Sequence, residues 1–483
     1  EETTLMQELR TPTVRTRPDD EAIEKFKSQL RGGLHFPGES GYEQARSIWN
    51  GMIERRPAWV ARCTGVADVI AAVNFARDNE LLLSVRGGGH NVAGSAVCEG
   101  GLMIDLSLMR GIHVDPARRI ARAQPGIDWG ELDRETQLFG LAVAGGIVSH
   151  TGVAGLTLGG GFGWLSRRYG LTSDSLLSAD VVTADGRFLK ATSTENPDLF
   201  WGIRGGGGNF GIVTSFEFQL QPVGPQVMAG LVLYPLEDAR DVLEFYREFA
   251  ARAPDELGTL AVLRVAPPAP FLPQQVHGQP VIGIAVCYAG TVEDAEAVVR
   301  PLKEFGSPLV DLVGPKPYVA HQTLLDAASP SGRLYYWKSE YLSELSDEAC
   351  DTLTRYAATL SSPMTAVLLF QLGGAISQVG EHETAAGNRD AGYVLNIQSA
   401  WEDRAQTDTH IEWTRAFWRD VQPFAAGGVY VNFLSDGEGD ARIRAAYPGT
   451  YERLVALKNR YDPTNLFRMN QNIKPTVGHP APV

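Results

Sequence analysis

The stretch Val85-Arg86-Gly87-Gly88-Gly89-His90-Asn91-Val92-Ala93-Gly94 decides how the rest of the chain is read. It follows an apolar run over 81–85 that has the length and composition of a buried strand. A strand that opens into three glycines lets the main chain turn sharply and presents bare N–H groups to whatever lies above it, as a phosphate cradle requires. Three glycines alone fit a tight turn between two strands better. The imidazole of His90 shifts that balance, because a ring at the rim of such a loop sits within reach of a bound nucleotide's reactive end.

Upstream, residues 19–30 carry Ile23, Phe26 and Leu30 at helical spacing behind an acidic start, and 59–62 reads as a strand. Thr64 is placed to cap a helix through Val66, Val69, Ile70, Val73 and Ala76, so a β-α-β unit feeds the glycine loop. Downstream, 101–106 and 120–124 look like strands and 129–138 like a helix. A nicotinamide-binding Rossmann unit would need G-x-G-x-x-G opening a long helix, with an acid about 20 residues on. Here Gly89 leads instead into His90-Asn91-Val92-Ala93-Gly94-Ser95 and a further strand, which sets that class aside.

Two more glycine clusters follow. The first runs from Gly145 to Gly163 and continues to Asp174; the second is Arg204-Gly-Gly-Gly-Gly-Asn209-Phe-Gly211, between a helix over 198–203 and a strand over 212–219. Glycines this dense permit a chain to pass against a flat group with no side chain between them. Beyond about Pro222 the texture changes to alternating strands at 227–234, 259–265, 281–288, 365–371 and 393–401, with helices over 237–250 and 292–305. That pattern predicts a mostly antiparallel sheet backed by helices. Residues 335–341, with Tyr335, Tyr336, Trp337, Lys338 and Tyr341, offer either an aromatic wall with one amine for a cleft or a strand packed in the core.

Arg86, Gly88, Gly89, His90 and Gly94 resemble the flavin-attachment segment of the berberine bridge enzyme-like FAD-linked oxidases. The resemblance spans roughly residues 45 to 475 and includes both later glycine clusters. It implies an α+β fold of the vanillyl-alcohol oxidase architecture: a two-lobed PCMH-type FAD-binding domain plus a substrate domain with an antiparallel sheet backed by helices. The expected division is an arm over 1–35, the FAD domain over 36–222, the substrate domain over 223–425 and a segment over 426–483 returning to the FAD domain.

The resemblance further implies FAD bonded through its 8α carbon to His90, within a cofactor set of Arg86, Gly87, Gly88, Gly89, Asn91, Gly94, Ser95, Gly146, Gly152, Gly155, Gly159, Gly160, Gly163, Gly211, Ile212, Val213, Tyr430 and Asn432. Many relatives bond the flavin a second time through a cysteine where this chain has Val148, so a single attachment is expected. At the oxygen-gating position stands Thr151, with the volume of the Val that accompanies oxidase behaviour. The strand over 393–401 is implied to present Asn396 and Gln398 to the substrate. The family's two usual bases are replaced by Gln398 and Phe433; Tyr430 keeps a phenol and is a candidate base beside water or an already neutral amine, although strand alternation puts it on the face opposite Phe433. Arg204 is expected in a structural ion pair, and 462–473 is similar to the family's closing segment.

A net charge of −14 argues against a polyanion such as nucleic acid as partner. No apolar run approaches the roughly 20 residues of a membrane span. Cys63, Cys98, Cys287 and Cys350 lie far apart without a CxxC pair, suggesting neither a metal site nor a disulfide framework, and Cys63 and Cys287 sit in core-like runs. The start Glu1-Glu2-Thr3-Thr4 does not read as a signal peptide, so a cytoplasmic location is expected, although a first residue other than Met leaves processing and secretion open. The expected function is a flavoprotein oxidase taking hydride from a CH–OH or CH–NH carbon of a sugar, glycosylated natural product, alkaloid or amine, with oxygen as acceptor. A dehydrogenase slow with oxygen and a non-catalytic flavin carrier are the alternatives.

Overall fold

The computed structural model describes residues 18–476. Residues 1–17, the first part of the expected arm, and 477–483 lie outside the described residues. Strands β1 (Leu34–His35), β2 (Trp59–Arg62), β3 (Leu83–Arg86) and β4 (Leu102–Asp105) form one sheet in the order β1-β2-β4-β3. β2 and β3 both run parallel to β4, and helix Val66–Asp78 makes the crossover, so the expected β-α-β unit forms with a later strand inserted at its centre. Ala61, Leu83 and Ile104 are buried there, as a parallel sheet covered on both faces requires. The crossover helix is preceded by Gly65, and Thr64 does not cap it. The buried carboxylate of Asp68 instead gathers the N–H groups of Arg31, Gly32 and Thr64 together with the Thr64 hydroxyl.

β5 (Ile112–Asp115) and β6 (Ile120–Ala123) continue, past the short β7 (Leu141–Ala142), into β8 (Leu176–Val182), β9 (Phe188–Thr192) and β10 (Ile212–Gln219). Apart from β7, which pairs with β11 (Gln221–Pro222), these make an antiparallel sheet in the order β5-β6-β10-β8-β9. Phe216 and Phe218 enter the same core as Leu454, Leu457 and Tyr461 from the C-terminal helix Tyr451–Tyr461. Lys458 of that helix is buried and donates to the Asp462 carboxylate at 2.6 Å and to the carbonyls of Asn209 and Phe467, which pins the closing segment beneath the third glycine cluster.

The remaining strands are β12 (Gln226–Pro235), β13 (Leu257–Val265), β14 (Pro280–Tyr288), β15 (Val310–Asp311), β16 (Gly314–Pro317), β17 (Leu334–Leu342), β18 (Ala366–Gln371) and β19 (Tyr393–Trp401). They build an antiparallel sheet in the order β15-β12-β14-β13-β18-β19-β17, with β16 also on β12. Alternation divides it: Ala261, Leu263, Leu369 and Ile397 pack under helices Ala239–Arg252, Val292–Glu304, Asp347–Ala357 and Thr407–Val421, while Leu260, Val262, Leu368 and Phe370 face the glycine clusters. All four cysteines are buried and free. Residues 428–433 do not form the expected strand; Val431–Phe433 is a single 3₁₀ turn.

Candidate functional site

Three glycine-rich turns converge on one cavity of about 290 Å³, whose opposite wall is the inner face of the eight-stranded sheet. Gly87, Gly88, Gly89, His90, Asn91 and Ser95 line it from the first turn. A Cβ at Gly88 would stand 2.4 Å from the Gly152 Cα, so the first two turns touch backbone to backbone. At Gly155 an added Cβ would meet nothing within 4 Å, and the bare chain faces open space. Gly146, Thr151 and Gly152 line the cavity beside it, as does Val148.

His90 is held by a ring stack. Trp49 lies against it with centroids 4.3 Å apart, and Tyr335 stacks on Trp49 at 3.8 Å. Asn50 locks this arrangement, donating to the carbonyls of Val92 and Tyr335 and accepting the Tyr335 N–H. Burial pulls the imidazole down to about 3, with His150 nearby adding to the effect, so the ring is neutral at physiological pH. Its Nε2 is buried with no hydrogen-bond partner among the described residues.

Several residues expected at the cofactor are placed elsewhere. Arg86 donates to the Ala45 carbonyl at 2.6 Å and lies 3.9 Å from Asp105, away from the cavity. Gly94 has φ +74° and its Cβ would strike Ile53. Cβ atoms at Gly159 and Gly163 would meet the Asn432 side chain at 2.1 Å and the Gly145 carbonyl at 2.0 Å; Gly160, with φ +102°, packs by Leu171 and Ala386. These glycines serve contact between protein segments, which glycine density alone does not separate from contact with a ligand.

From the third turn Gly207, Gly208, Gly211, Ile212 and Val213 line the cavity, joined by Asn470 and Gln471 of the closing segment. Asn470 donates to the Gly208 carbonyl and Asn209 to that of Gln471. Arg204 forms no ion pair among the described residues; it donates to the Glu383 backbone carbonyl at 2.8 Å and lies over the Phe200 ring. Beneath Gly146, the Gln322 amide donates to buried Asp133 at 2.7 Å and to the Gly146 carbonyl at 3.2 Å, and burial pushes the Asp133 carboxyl up to about 7.

On the sheet, register sets the wall. Arg264 stands opposite Ala366, Ala366 opposite Gln398 and Gln398 opposite Trp337, and all four line the cavity. Asn396, on the same face two residues from Gln398, is fully buried with both amide atoms unpartnered and does not reach the lining. Of the aromatic strand, Tyr335 and Trp337 face the cavity, but Lys338 points the other way, pairing with Glu438 at 3.1 Å and lying over Trp418.

The 3₁₀ turn overturns the expected alternation of Tyr430 and Phe433: residues three apart eclipse in such a turn, and these rings sit 4.9 Å apart on the same side, both lining the cavity. The Tyr430 oxygen accepts from Asn432 at 2.8 Å, and burial raises the phenol's pKa, so it stays protonated at neutral pH. Among the described lining residues the titratable groups are His90, Arg264, Tyr335 and Tyr430; none is a carboxylate or a lysine. Sequence reasoning missed Trp49, which carries no local signal. It also missed Arg264, whose signal was a lone charge ending the alternating run Leu260, Val262, Arg264.

Comparison with known proteins agrees with this geometry. A profile described as "FAD binding domain" matches residues 57–192 and one described as "Berberine and berberine like" matches 429–474. An FAD-linked oxidoreductase of Dictyostelium discoideum is 31% identical over 94% of this chain and 97% of its own length. (R)-6-hydroxynicotine oxidase of Paenarthrobacter nicotinovorans is 31% identical over 92% of this chain and 97% of its own. The crystal structure of 6-hydroxy-D-nicotine oxidase from Arthrobacter nicotinovorans superimposes with a TM-score of 0.82 at 28% identity, covering 92% of this chain and 98% of that one. Cradle, sheet and closing segment together place the chain in the berberine bridge enzyme-like group of PCMH-type FAD-linked oxidoreductases.

Proposed function

We propose that the protein is an FAD-dependent oxidase that takes hydride from a CH–OH or CH–NH carbon of a small molecule and passes the electrons to molecular oxygen, giving hydrogen peroxide. The observation that carries this is the meeting of three bare-backbone turns at one cavity with a neutral imidazole at its rim whose Nε2 has no hydrogen-bond partner among the described residues. The residues fit the cofactor. Gly87–Gly89 with Gly207 and Gly208 would hold its phosphates through main-chain N–H groups, and Gly146, Gly152 and Gly155 would lie against its flat part. His90, uncharged and therefore nucleophilic, would hold it covalently, and Val148 offers no second nucleophile. When bound, FAD supplies the hydride acceptor and the route to oxygen.

The chain's own side chains bind and orient. The side-chain amide of Gln398 has no hydrogen-bond partner among the described residues and faces the cavity, so it is available to a substrate hydroxyl or amine. Tyr430, fixed by Asn432, donates its proton in a hydrogen bond and does not act as the base, because burial keeps it neutral. With no carboxylate or lysine among the described lining residues, the substrate proton leaves to water, or the substrate enters as a neutral amine. Phe162, Phe370 and Phe433 keep the reacting end dry. Thr151 matches a small gating residue, in line with oxygen as acceptor. Likeness to a hydroxynicotine oxidase supports the reaction class. The same lack of a strong base favours one rival, a flavin carrier without turnover.

Acid precipitation separates these. The wild-type pellet is expected to stay yellow and the His90→Ala supernatant to take the colour. An anaerobic screen of alcohols, sugars and amines is expected to bleach the wild type, with peroxide formed in equal amount to substrate oxidised once air is admitted. Colour released from the wild type sinks the tether, and a yellow protein that nothing bleaches leaves the carrier.

A further inference from the structure

We propose that the substrate is an apolar, ring-bearing alcohol or amine that carries a carboxylate, held by Arg264 two strands away from Gln398. This rests on the oxidase reading above. Arg264 projects from β13 into the cavity, and its one hydrogen bond among the described residues runs from Nε to the adjacent Val265 carbonyl at 3.0 Å. Its two Nη groups have no partner there. Five other deeply placed cations are treated differently, while Arg204, also without an ion pair among the described residues, is held by the Glu383 carbonyl and lies over the Phe200 ring. Arg167, Lys338, Arg389, Arg442 and Lys458 pair with Asp255, Glu438, Asp174, Glu340 and Asp462 respectively. A fold that neutralises each of those leaves the guanidinium facing its ligand space without a counter-charge, a costly state that an incoming anion relieves.

The surroundings strengthen the positive end. Burial pulls Arg264 down to about 10, and the nearby Arg333 guanidinium works in the same direction, so two cations share this region while Arg264 keeps its charge at neutral pH. The Arg333 partner, Glu402, is a largely exposed carboxylate at 3.6 Å. Asp326, on the loop whose Leu325 and Ala328 line the cavity, is occupied by the N–H and hydroxyl of Ser149 at 2.9 and 2.5 Å. A cationic amine at this end would meet repulsion with nothing to offset it.

Between the two polar groups lies a flat passage. Arg264, Ala366 and Gln398 occupy one row on three adjacent strands, so the strands that carry the guanidinium and the amide are about 10 Å apart. The middle position is Ala, which leaves the floor low, and Trp337, Phe370 and Phe433 supply aromatic walls. A planar apolar body suits that gap, its carboxylate in the fork of Arg264 and its reacting carbon by Gln398.

The test titrates 4-phenylbutyrate and its neutral analogue 4-phenylbutyramide into the oxidised holoenzyme and follows the flavin absorbance band. The carboxylate is expected to bind at least about tenfold more tightly than the amide, as charge-assisted hydrogen bonds imply. Arg264→Gln is expected to bind the two alike, and Arg264→Lys to keep part of the preference. Equal binding to the wild type, no binding of either, or a preference that survives in Arg264→Gln overturns the proposal. A colourless wild-type protein would sink the oxidase reading itself, whereas a yellow enzyme that bleaches with neutral alcohols and ignores the carboxylate sinks this proposal alone.

Discussion

The two walls of the cavity are made of different material. On one side Gly88 and Gly152 meet main chain against main chain, and Gly155 presents bare backbone. On the other, Arg264, Ala366, Gln398 and Trp337 present side chains from four strands in register. At Gly88 and Gly152 the glycine wall has no freedom to vary, because adding one carbon there strikes backbone that has nowhere to go, while at Gly155 an added carbon would enter the cavity itself. The sheet wall can change any side chain without moving a strand, which is where selectivity among substrates is set.

The strongest way to break that contrast is one substitution on each side. Gly88→Val places carbon 2.4 Å from the Gly152 Cα. It is expected to cost about 3 kcal/mol or more of stability and to give protein without bound flavin, read from the ratio of visible to ultraviolet absorbance. Leu368→Ala, on the opposite wall, is expected to cost about 2 kcal/mol while flavin content stays at the wild-type level. Equal flavin loss in both would erase the distinction.

At the seam between the walls, Asp133 sharpens it through pH. Its carboxyl is pushed up to about 7, against the usual value near 4, so the folded state holds this proton more tightly than the unfolded chain does. That contribution is complete below about pH 4 and is lost as pH rises through about 7. Asp133→Asn should therefore raise the melting temperature by about 2 °C at pH 8 and leave it unchanged at pH 4. The buried imidazoles of His90 and His321, lowered to about 3, act with the opposite sign: their contribution is complete above about pH 6.5 and falls as pH drops towards 3. Comparing variant with wild type at each pH cancels them. A melting difference that does not depend on pH would place the Asp133 charge elsewhere.

The smallest expected effect lies on the sheet side. Tyr430→Phe removes the hydroxyl that Asn432 orients and should slow flavin reduction about tenfold, close to 1.4 kcal/mol in the barrier, with flavin content intact. Because burial raises the phenol's pKa, the wild-type reduction rate should show no tyrosine ionisation between pH 7 and 9. An inflection there, absent in the variant, would restore Tyr430 as a base.

The cradle was legible at the level of segments but not of each residue. Gly88, Gly152 and Gly155 face or frame the cavity as their clusters suggested, whereas Arg86, Gly94, Gly159 and Gly163 sit in the same clusters and turn into protein contacts. Glycine tolerates close approach by anything, and the sequence does not say whether protein or ligand approaches. On the other wall, alternation correctly assigned Gln398 to the inner face and failed at Tyr430, where Asn432 docks on the Leu156 carbonyl and the chain turns as a 3₁₀ helix.

Beyond the fold class, which family resemblance implied, the sequence by itself determined most of the long strands, several of the helices and the segments that bring bare backbone and one imidazole together. Those properties depend on local periodicity and on which residues permit a sharp turn, and both are written within a dozen residues. Only the tertiary structure decided that Arg264, Gln398 and Trp337 share one row, that Trp49 braces His90, and that Tyr430 joins Phe433. Each joins residues separated by strand pairing, by a turn or by tens of positions, and register across a sheet is an agreement among strands that no single strand records.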